Sequence, residues 1–491
     1  MLPAFLSAAR LRLARRLLLR DLTSGSTTTV PVTVLSGFLG AGKTTLLNQI
    51  LRQEKDTRRI AVLVNDMADI NIDADLVRNA SGGDALPDGM VQLENGCICC
   101  TLRDDLVIEL ATLAREGDLD HIVVESTGIS EPHPVAQAFT MPFTSLASAV
   151  AEDQSTTGDA KLEALARAMD GLSSLQDAAH IHSLVTVVDC ATFLEHLHSL
   201  EDLHELGVGS APDDNRPLAM LLMEQVQFAN LLLLNKTDLV SQGEQDRIAR
   251  FLSLVNPLAK VLRTQNSAID TEALLSARAY DESDFSSMPA WAEELAKGAH
   301  SEADEYGIHN FTLRVLGRPF HAGRFWEVLQ DSHEVFAGVL RAKGCFWVRE
   351  DHDTRYDFSL VGNTGDLIVN SVWAQTGLDL LGTQAAKLQE LRPGYTAVDV
   401  DQAVTRLERE ASRLQDEGCW HPLTQDRRIE LVFIGDDRMR RSAIEAALEC
   451  AMLTEEEMRQ FAGAWEEGGG GSAGQPDANP FAKVPRCSVR I

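Results

Sequence analysis

Two groups of residues in this 491-residue chain have the types and spacing of reactive chemistry. The first is Gly37-Phe38-Leu39-Gly40-Ala41-Gly42-Lys43-Thr44, which fits G-x-x-x-x-G-K-[ST], the loop that wraps nucleotide phosphates. Lys43 would reach the β- and γ-phosphates, and the Thr44 hydroxyl would bind Mg²⁺. The second is Cys97-Ile98-Cys99-Cys100, three of the chain's eight cysteines within four residues. Thiolates so close repel one another unless a cation holds them, and soft sulfur selects Zn²⁺ or Cu(I) over Mg²⁺. Three protein ligands leave a tetrahedral ion one open position, which suits exchange better than permanent binding. A thioredoxin-like redox pair would need C-x-x-C spacing. Buried apolar cysteines fit poorly beside Asn95-Gly96 and Thr101-Leu102-Arg103-Asp104-Asp105, which read as a loop entering a helix.

The elements that must position the phosphate loop are legible on either side. Val30–Leu35 is an apolar, β-branched run that reads as a buried strand, and Thr45–Leu51 reads as the first turns of a helix. Strand, glycine loop and helix in that order aim N–H groups and a positive helix end at an anion. An incidental glycine turn has no reason to stand in that context.

A second apolar run, Phe228–Leu234, ends in Asn235-Lys236-Thr237-Asp238. The Asp238 carboxylate can accept from guanine's N1–H and exocyclic amine together, which adenine cannot offer. Asn235 would brace the loop and meet the base edge, and the Lys236 stem would lie along the ring. Alone, N-K-x-D is a common surface turn; after a buried strand and a phosphate loop it indicates GTP. Between the two loops, Leu119–Val124 leads into Glu125-Ser126-Thr127-Gly128. Glu125 is placed to hold Mg²⁺, and the Gly128 N–H to sense the γ-phosphate. Asp66, after the strand Ile60–Val64, is a further candidate for Mg²⁺ or the attacking water. The bland alternative for both acids is a solvated strand end. Neither a water-positioning glutamine nor an arginine finger stands out, so intrinsic hydrolysis is expected to be slow and gated.

Taken together, GFLGAGKTT, NDMADINIDADLV, ENGCICCTLRDDL, ESTGISEP and NKTDL resemble the CobW-type metallochaperone GTPases, relatives of the hydrogenase and urease nickel-insertion GTPases. That resemblance spans roughly residues 30–465 and implies GTP-driven delivery of a metal to client apo-metalloproteins. It carries the phosphate loop onto Gly37–Thr45, the switch onto Glu125–Gly128, base recognition onto Asn235–Asp238, and metal binding, zinc above all, onto Cys97, Cys99 and Cys100. Many members have N-E-x-G-x where this chain has Asn65-Asp66-Met67-Ala68-Asp69, so a fourth metal ligand from a switch Glu would have to come from Asp66 or Asp69. Cobalt, nickel and iron stay open as cargo, as does nucleotide-dependent homodimerisation. The competing reading is a regulatory GTP switch with a fixed structural zinc and a partner-binding C-terminal domain.

The net charge of −29 disfavours nucleic acid and anionic membranes as partners. Scattered single cysteines at 190, 345, 419, 450 and 487 form no disulfide framework and point to a reducing, cytoplasmic setting. No apolar run approaches the roughly 20 residues of a membrane span. Residues 1–20 carry Arg10, Arg12, Arg15, Arg16 and Arg20 and no acid, as mitochondrial or plastid transit peptides do, so organelle import is the alternative to a dispensable basic leader.

The expected organisation is α/β: a basic extension over 1–27 and a P-loop GTPase domain over 28–285 with a mostly parallel, doubly wound sheet. A surface insertion is expected at 148–180, an acidic linker at 286–306, a smaller CobW-like α+β domain at 307–465 and a disordered Gly-rich tail at 466–491. Strands are expected at 32–36, 60–65, 120–125, 184–189, 228–234 and 260–262. His180 and His182 then fall just before a strand, and His196, His198 and His204 on a polar face. His-x-His on a helix aims its two rings at different faces and chelates poorly.

Overall fold

The computed structural model describes residues 29–54, 57–65, 90–93, 102–116, 119–152, 158–209, 214–271, 274, 306–330, 334–391, 397–466 and 486–490. The basic extension, Asp66, Asp69, Cys97, Cys99, Cys100 and the acidic linker lie outside the described residues.

Seven strands form the first sheet: β1 (Val30–Ser36), β2 (Ile60–Asn65), β3 (Met90–Leu93), β4 (His121–Glu125), β5 (Ala179–Asp189), β6 (Leu231–Asn235) and β7 (Lys260–Arg263). Their order is β3-β2-β4-β1-β5-β6-β7 and every pairing is parallel. Parallel strands need covered faces, and the alternation along them shows how both are filled. Val62, Val64 and Val123 point to one side, where α1 (Lys43–Glu54) lays down Leu46, Leu47 and Ile50. Val32, Val34, Leu63 and Val124 point to the other. There α2 (Leu102–Glu116), α3 (Pro132–Thr140), α4 (Phe143–Glu152) and α5 (Gly158–Ala168) supply Leu106, Leu110, Phe139, Leu146 and Leu165. Three helices, α6 (Phe193–His198), α7 (Leu218–Gln227) and α8 (Gln242–Val255), cover the β5–β6 side.

Two expectations change here. Within the segment read as a surface insertion, Leu165, Met169 and Leu175 are no more than 1 % exposed, because the apolar face of α5 closes over α2. His180 and His182 lie inside β5, which starts five residues earlier than its purely apolar stretch, at Ala179.

The second sheet comprises β8 (Ile308–Leu316), β9 (Val339–Val348), β10 (Asp351–Val361), β11 (Thr364–Val372), β12 (Arg428–Asp436) and β13 (Arg486–Arg490), all antiparallel, in the order β13-β11-β10-β9-β12-β8. With it run α9 (Ala322–Gln330), α10 (Ala374–Leu391), α11 (Ala397–Asp416), α12 (Arg441–Ala451) and α13 (Glu455–Glu466). The strand β13 corrects the expectation of a wholly disordered tail. Low-complexity composition ends well before it, and Arg486–Arg490 pairs with β11, which would otherwise be the sheet's edge.

One face of this sheet is aromatic: Phe311, Phe346, Phe358 and Phe433 pack with Phe325 of α9 and Ile444 of α12. The other carries Arg341, Lys343, Cys345, Arg428 and Glu430, by strand alternation. Burial pushes the Lys343 ammonium down to about 8 and the Arg341 guanidinium to about 10. Toward one end of the same face, Val361, Val432 and Ile434 join the core of α6, α7 and α8, so the two sheets share a packed boundary. Gly362 marks its closest approach: at φ +52° it needs glycine, and a Cβ there would sit 1.8 Å from the Leu197 carbonyl.

Candidate functional site: a phosphate loop braced by the base loop

Ligands of open parallel sheets bind beyond the carboxyl ends of the strands, where the winding reverses. Here β1 stands between β4 and β5, and the phosphate loop leaves its carboxyl end. Pairing of Leu35 with Glu125, Ser36 with Thr186 and Asp189 with Asn235 brings the other candidate residues to the same edge.

The loop needs its glycines for space and for backbone conformation. Gly37 has φ +133°, and a Cβ on it would meet the Val187 carbonyl oxygen at 2.3 Å. Gly42 has φ +116°, and a Cβ on it would meet Asn235 Nδ2 at 2.5 Å. Gly40 has φ +74° with open space beside it, and Ala41 is 1 % exposed. Lys43 is buried and curls back, its Nζ donating to the carbonyls of Gly37 at 2.9 Å and Phe38 at 3.2 Å. Thr44 Oγ1 donates to Glu125 Oε1 at 2.8 Å, so hydroxyl and buried carboxylate converge on one position, a fit for a hard cation. Thr45 is exposed on the first turn of α1. Gly128 lies directly on the loop, since a Cβ would come within 2.7 Å of the Leu39 nitrogen.

At the base loop, Asn235 binds backward rather than outward. Its Nδ2 donates to the Ala41 carbonyl at 2.8 Å and its Oδ1 accepts from the Ser267 N–H at 2.8 Å. Ser267 Oγ donates to the Gly42 carbonyl at 2.9 Å. Lys236 adopts φ 58° and its Nζ meets Asp189 Oδ2 at 2.6 Å, which fixes the stem across the opening. Asp238 is exposed.

Three partners had no motif to announce them. Ser267 sits in a left-handed turn after β7 together with Asn266, whose φ is 50°. Asp189 simply ends β5. Gln225 of α7 is 1 % exposed and donates from Nε2 to the carbonyls of both Gly128 and Ser130 at 3.1 Å. The polar turn after the last parallel strand was the one available signal for Ser267. Among the described residues no group of three or more His, Cys, Asp or Glu side chains has metal-site geometry. His196 and His198 of α6 instead make structural contacts: Phe38 meets the His196 ring edge-on at 5.4 Å, and Arg438 Nη2 lies 3.3 Å from His198 Nε2.

Fold and site together define a P-loop GTPase followed by a second, antiparallel-sheet domain. Residues 31–157 and 155–263 match the CobW/HypB/UreG nucleotide-binding domain, and 308–452 match the cobalamin synthesis protein cobW C-terminal domain; the chain belongs to this CobW family. It is 35 % identical over 438 residues to zinc-regulated GTPase metalloprotein activator 1 of Dictyostelium discoideum, covering 87 % of this chain and 81 % of that one. The Schizosaccharomyces pombe protein of the same name is 32 % identical over 65 % of this chain and 66 % of its own. The zinc chaperone CobW of a Sinorhizobium species is 28 % identical over 59 % of this chain and 75 % of its own.

Proposed function

We propose that this chain uses GTP binding and hydrolysis to deliver zinc, held at Cys97, Cys99 and Cys100, to an apo-metalloprotein client. The observation that carries the reading is the shared carboxyl edge of the parallel sheet. β2 and β3 run parallel with Asn65 beside Leu93, so both strands end at the edge that bears Lys43, Thr44 and Glu125, and in the sequence Asp66 follows the first and the cysteines the second. The relatives named for zinc-regulated GTPase activity and zinc chaperoning support the choice of metal.

The residues divide the work. Lys43, whose Nζ meets the Gly37 and Phe38 carbonyls, turns to the β- and γ-phosphate oxygens when nucleotide binds. Thr44 and Glu125 are the residues that would hold Mg²⁺, which would supply charge compensation to the phosphates. Gly128, lying on the loop, offers its N–H to the γ-phosphate. Asp238 selects guanine while Asn235 locks base loop to phosphate loop, so the two halves of the nucleotide are read by one connected unit. Among the described residues no helix is long and apolar enough to cross a membrane.

Zinc affinity measured with a GTP analogue and with GDP tests the proposal. Linkage requires a reciprocal change of GTP affinity by zinc, about 5- to 150-fold for ordinary couplings. Identical zinc affinities in both nucleotide states would leave a GTP switch with a fixed structural ion, and loss of zinc binding in Cys99→Ser is the accompanying expectation.

A further inference from the structure

The helix α7 is tied at both ends to the segment that follows Glu125. Gln225 donates to the Gly128 and Ser130 carbonyls. Arg216, just ahead of the helix, reaches Glu131 Oε1 at 2.8 Å and is itself held by Asp214 at 2.8 Å. Phe228, at the carboxyl cap, stacks on His133 with ring centroids 4.5 Å apart. Asn256 Nδ2 anchors the same cap through the carbonyls of Val226 and Ala229, at 2.8 and 2.7 Å. These contacts fasten the short helix to the 128–133 segment at both of its ends.

Its opposite face touches the second sheet. With its amide turned to satisfy both groups, Gln227 accepts from Arg341 Nη2 at 3.1 Å and Nε at 3.3 Å. Arg341 is 2 % exposed and passes the contact on within its own sheet, donating from Nη1 to Ser359 Oγ at 2.7 Å and to the Leu360 carbonyl at 3.1 Å. Leu222 and Val226 of α7 share one core with Val361, Val432 and Ile434.

We infer that α7 is the lever by which the state of the γ-phosphate position reaches the C-terminal sheet, with Gln225 and Arg216 as its input and Arg341 as its receiver. The inference rests on the reading of Gly128 as the γ-phosphate sensor. When the Gly128 N–H engages a phosphate oxygen, the carbonyls of the same segment shift, and Gln225 carries the shift into the helix. A packed boundary accommodates such a shift by changing partners rather than by stretching. The rival route is α6, which meets Phe38 of the phosphate loop through His196 and the second sheet through Asn363 Nδ2, which donates to the His198 carbonyl at 3.1 Å.

Hydrogen exchange of the full chain, with and without a non-hydrolysable GTP analogue and Mg²⁺, decides between them, with analogue affinity measured in parallel. The parent is expected to bind the analogue and to change exchange in β9 and β10 about 5-fold or more, the low end of ordinary coupling. Gln227→Ala is expected to bind the analogue equally and to lose that response, and Arg216→Ala to blunt it from the input side. A parent that binds the analogue with no change in β9 and β10 overturns the lever. A full response retained in Gln227→Ala overturns Arg341 as the receiver and with it the lever as stated. A parent that fails to bind the analogue overturns the nucleotide reading beneath it, an outcome the affinity measurement separates from the other two.

Discussion

The two sheets handle polar groups in opposite ways. In the parallel sheet the strands are mostly apolar, and Glu125, Asp189 and Asn235 stand where strands stop, with Lys43 opening the helix that follows the β1 loop. In the antiparallel sheet, charge is built into the strands themselves: Arg428 and Glu430 are 4 % and 5 % exposed on neighbouring same-face positions of β12. Strand-end residues can change partners without disturbing the ladder, whereas mid-strand charges are committed to one another. The first arrangement suits a nucleotide cycle, and the second suits a platform that holds a defined shape.

The sharpest way to break that contrast is to remove a committed charge. Arg428 donates from Nε to Glu430 Oε2 at 2.7 Å, and Arg314 from Nε to Oε1 at 2.9 Å. Burial alone would raise the Glu430 carboxyl, yet Arg428 and Arg314 hold it below its ordinary value. Glu430→Ala should cost about 3–5 kcal/mol in denaturant unfolding, because a buried guanidinium loses its partner. Lys43→Ala should do the reverse. Lys43 hydrogen-bonds to carbonyls of its own loop, so its removal should leave the melting temperature nearly unchanged and lower GTP turnover by about 10²-fold or more. Unchanged turnover would mean that the loop does not carry the reaction.

Legibility in the sequence follows the same division. Strands buried on both faces are apolar runs, so β1, β2, β4 and β6 can be read within a few residues and their ends mark the motifs, while the short edge strand β7 shows only its central Val261-Leu262. The four residues of β3 are too few to give a period. β11 has no clean period to read because Gly365 and Asp366 break its alternation, though Asp366 is buried with 2 % exposure. β13 was hidden behind a low-complexity stretch that masked its pairing potential. At the site, residues belonging to local motifs were found, while Ser267 and Gln225 were not. Their roles come from hydrogen bonds to loops 225 and about 97 positions away in the chain, with no local pattern to mark them.

Base selection is the next smaller effect. Asp238→Ala should reduce the preference for GTP over ATP by about 10- to 100-fold, the range of a charged hydrogen-bonding group worth about 1.5–3 kcal/mol. Competition binding measures it directly. Asp238 is exposed, so this variant should melt with the parent, and equal affinity of the parent for both nucleotides would reject the guanine assignment.

The opposite edge of the parallel sheet offers the last comparison, because it places titratable groups where no nucleotide chemistry uses them. His121 opens β4 with 4 % exposure, its Nε2 lies 2.8 Å from Thr33 Oγ1, and its ring meets His182 edge-on at 5.7 Å. Burial, with His182, Arg58 and His180 adding to it, pushes its pKa down from 6.5 to about 3. The folded chain therefore keeps His121 neutral while the unfolded chain protonates it below about pH 6.5. Between pH 6.5 and 3 the unfolded state binds the extra proton, so this contribution to stability is complete above pH 6.5 and declines as pH falls. The slope for one such group is about 1.4 kcal/mol per pH unit. Denaturant titrations at pH 7.5 and 5.5 should differ by at least about that amount, since His180 and His198 are depressed as well, and His121→Gln, which keeps a hydrogen-bonding group for Thr33, should shrink the difference by the His121 share. A parent equally stable at both values would mean that His121 is protonated in the folded chain, and the histidine edge would then be as adaptable as the nucleotide edge opposite.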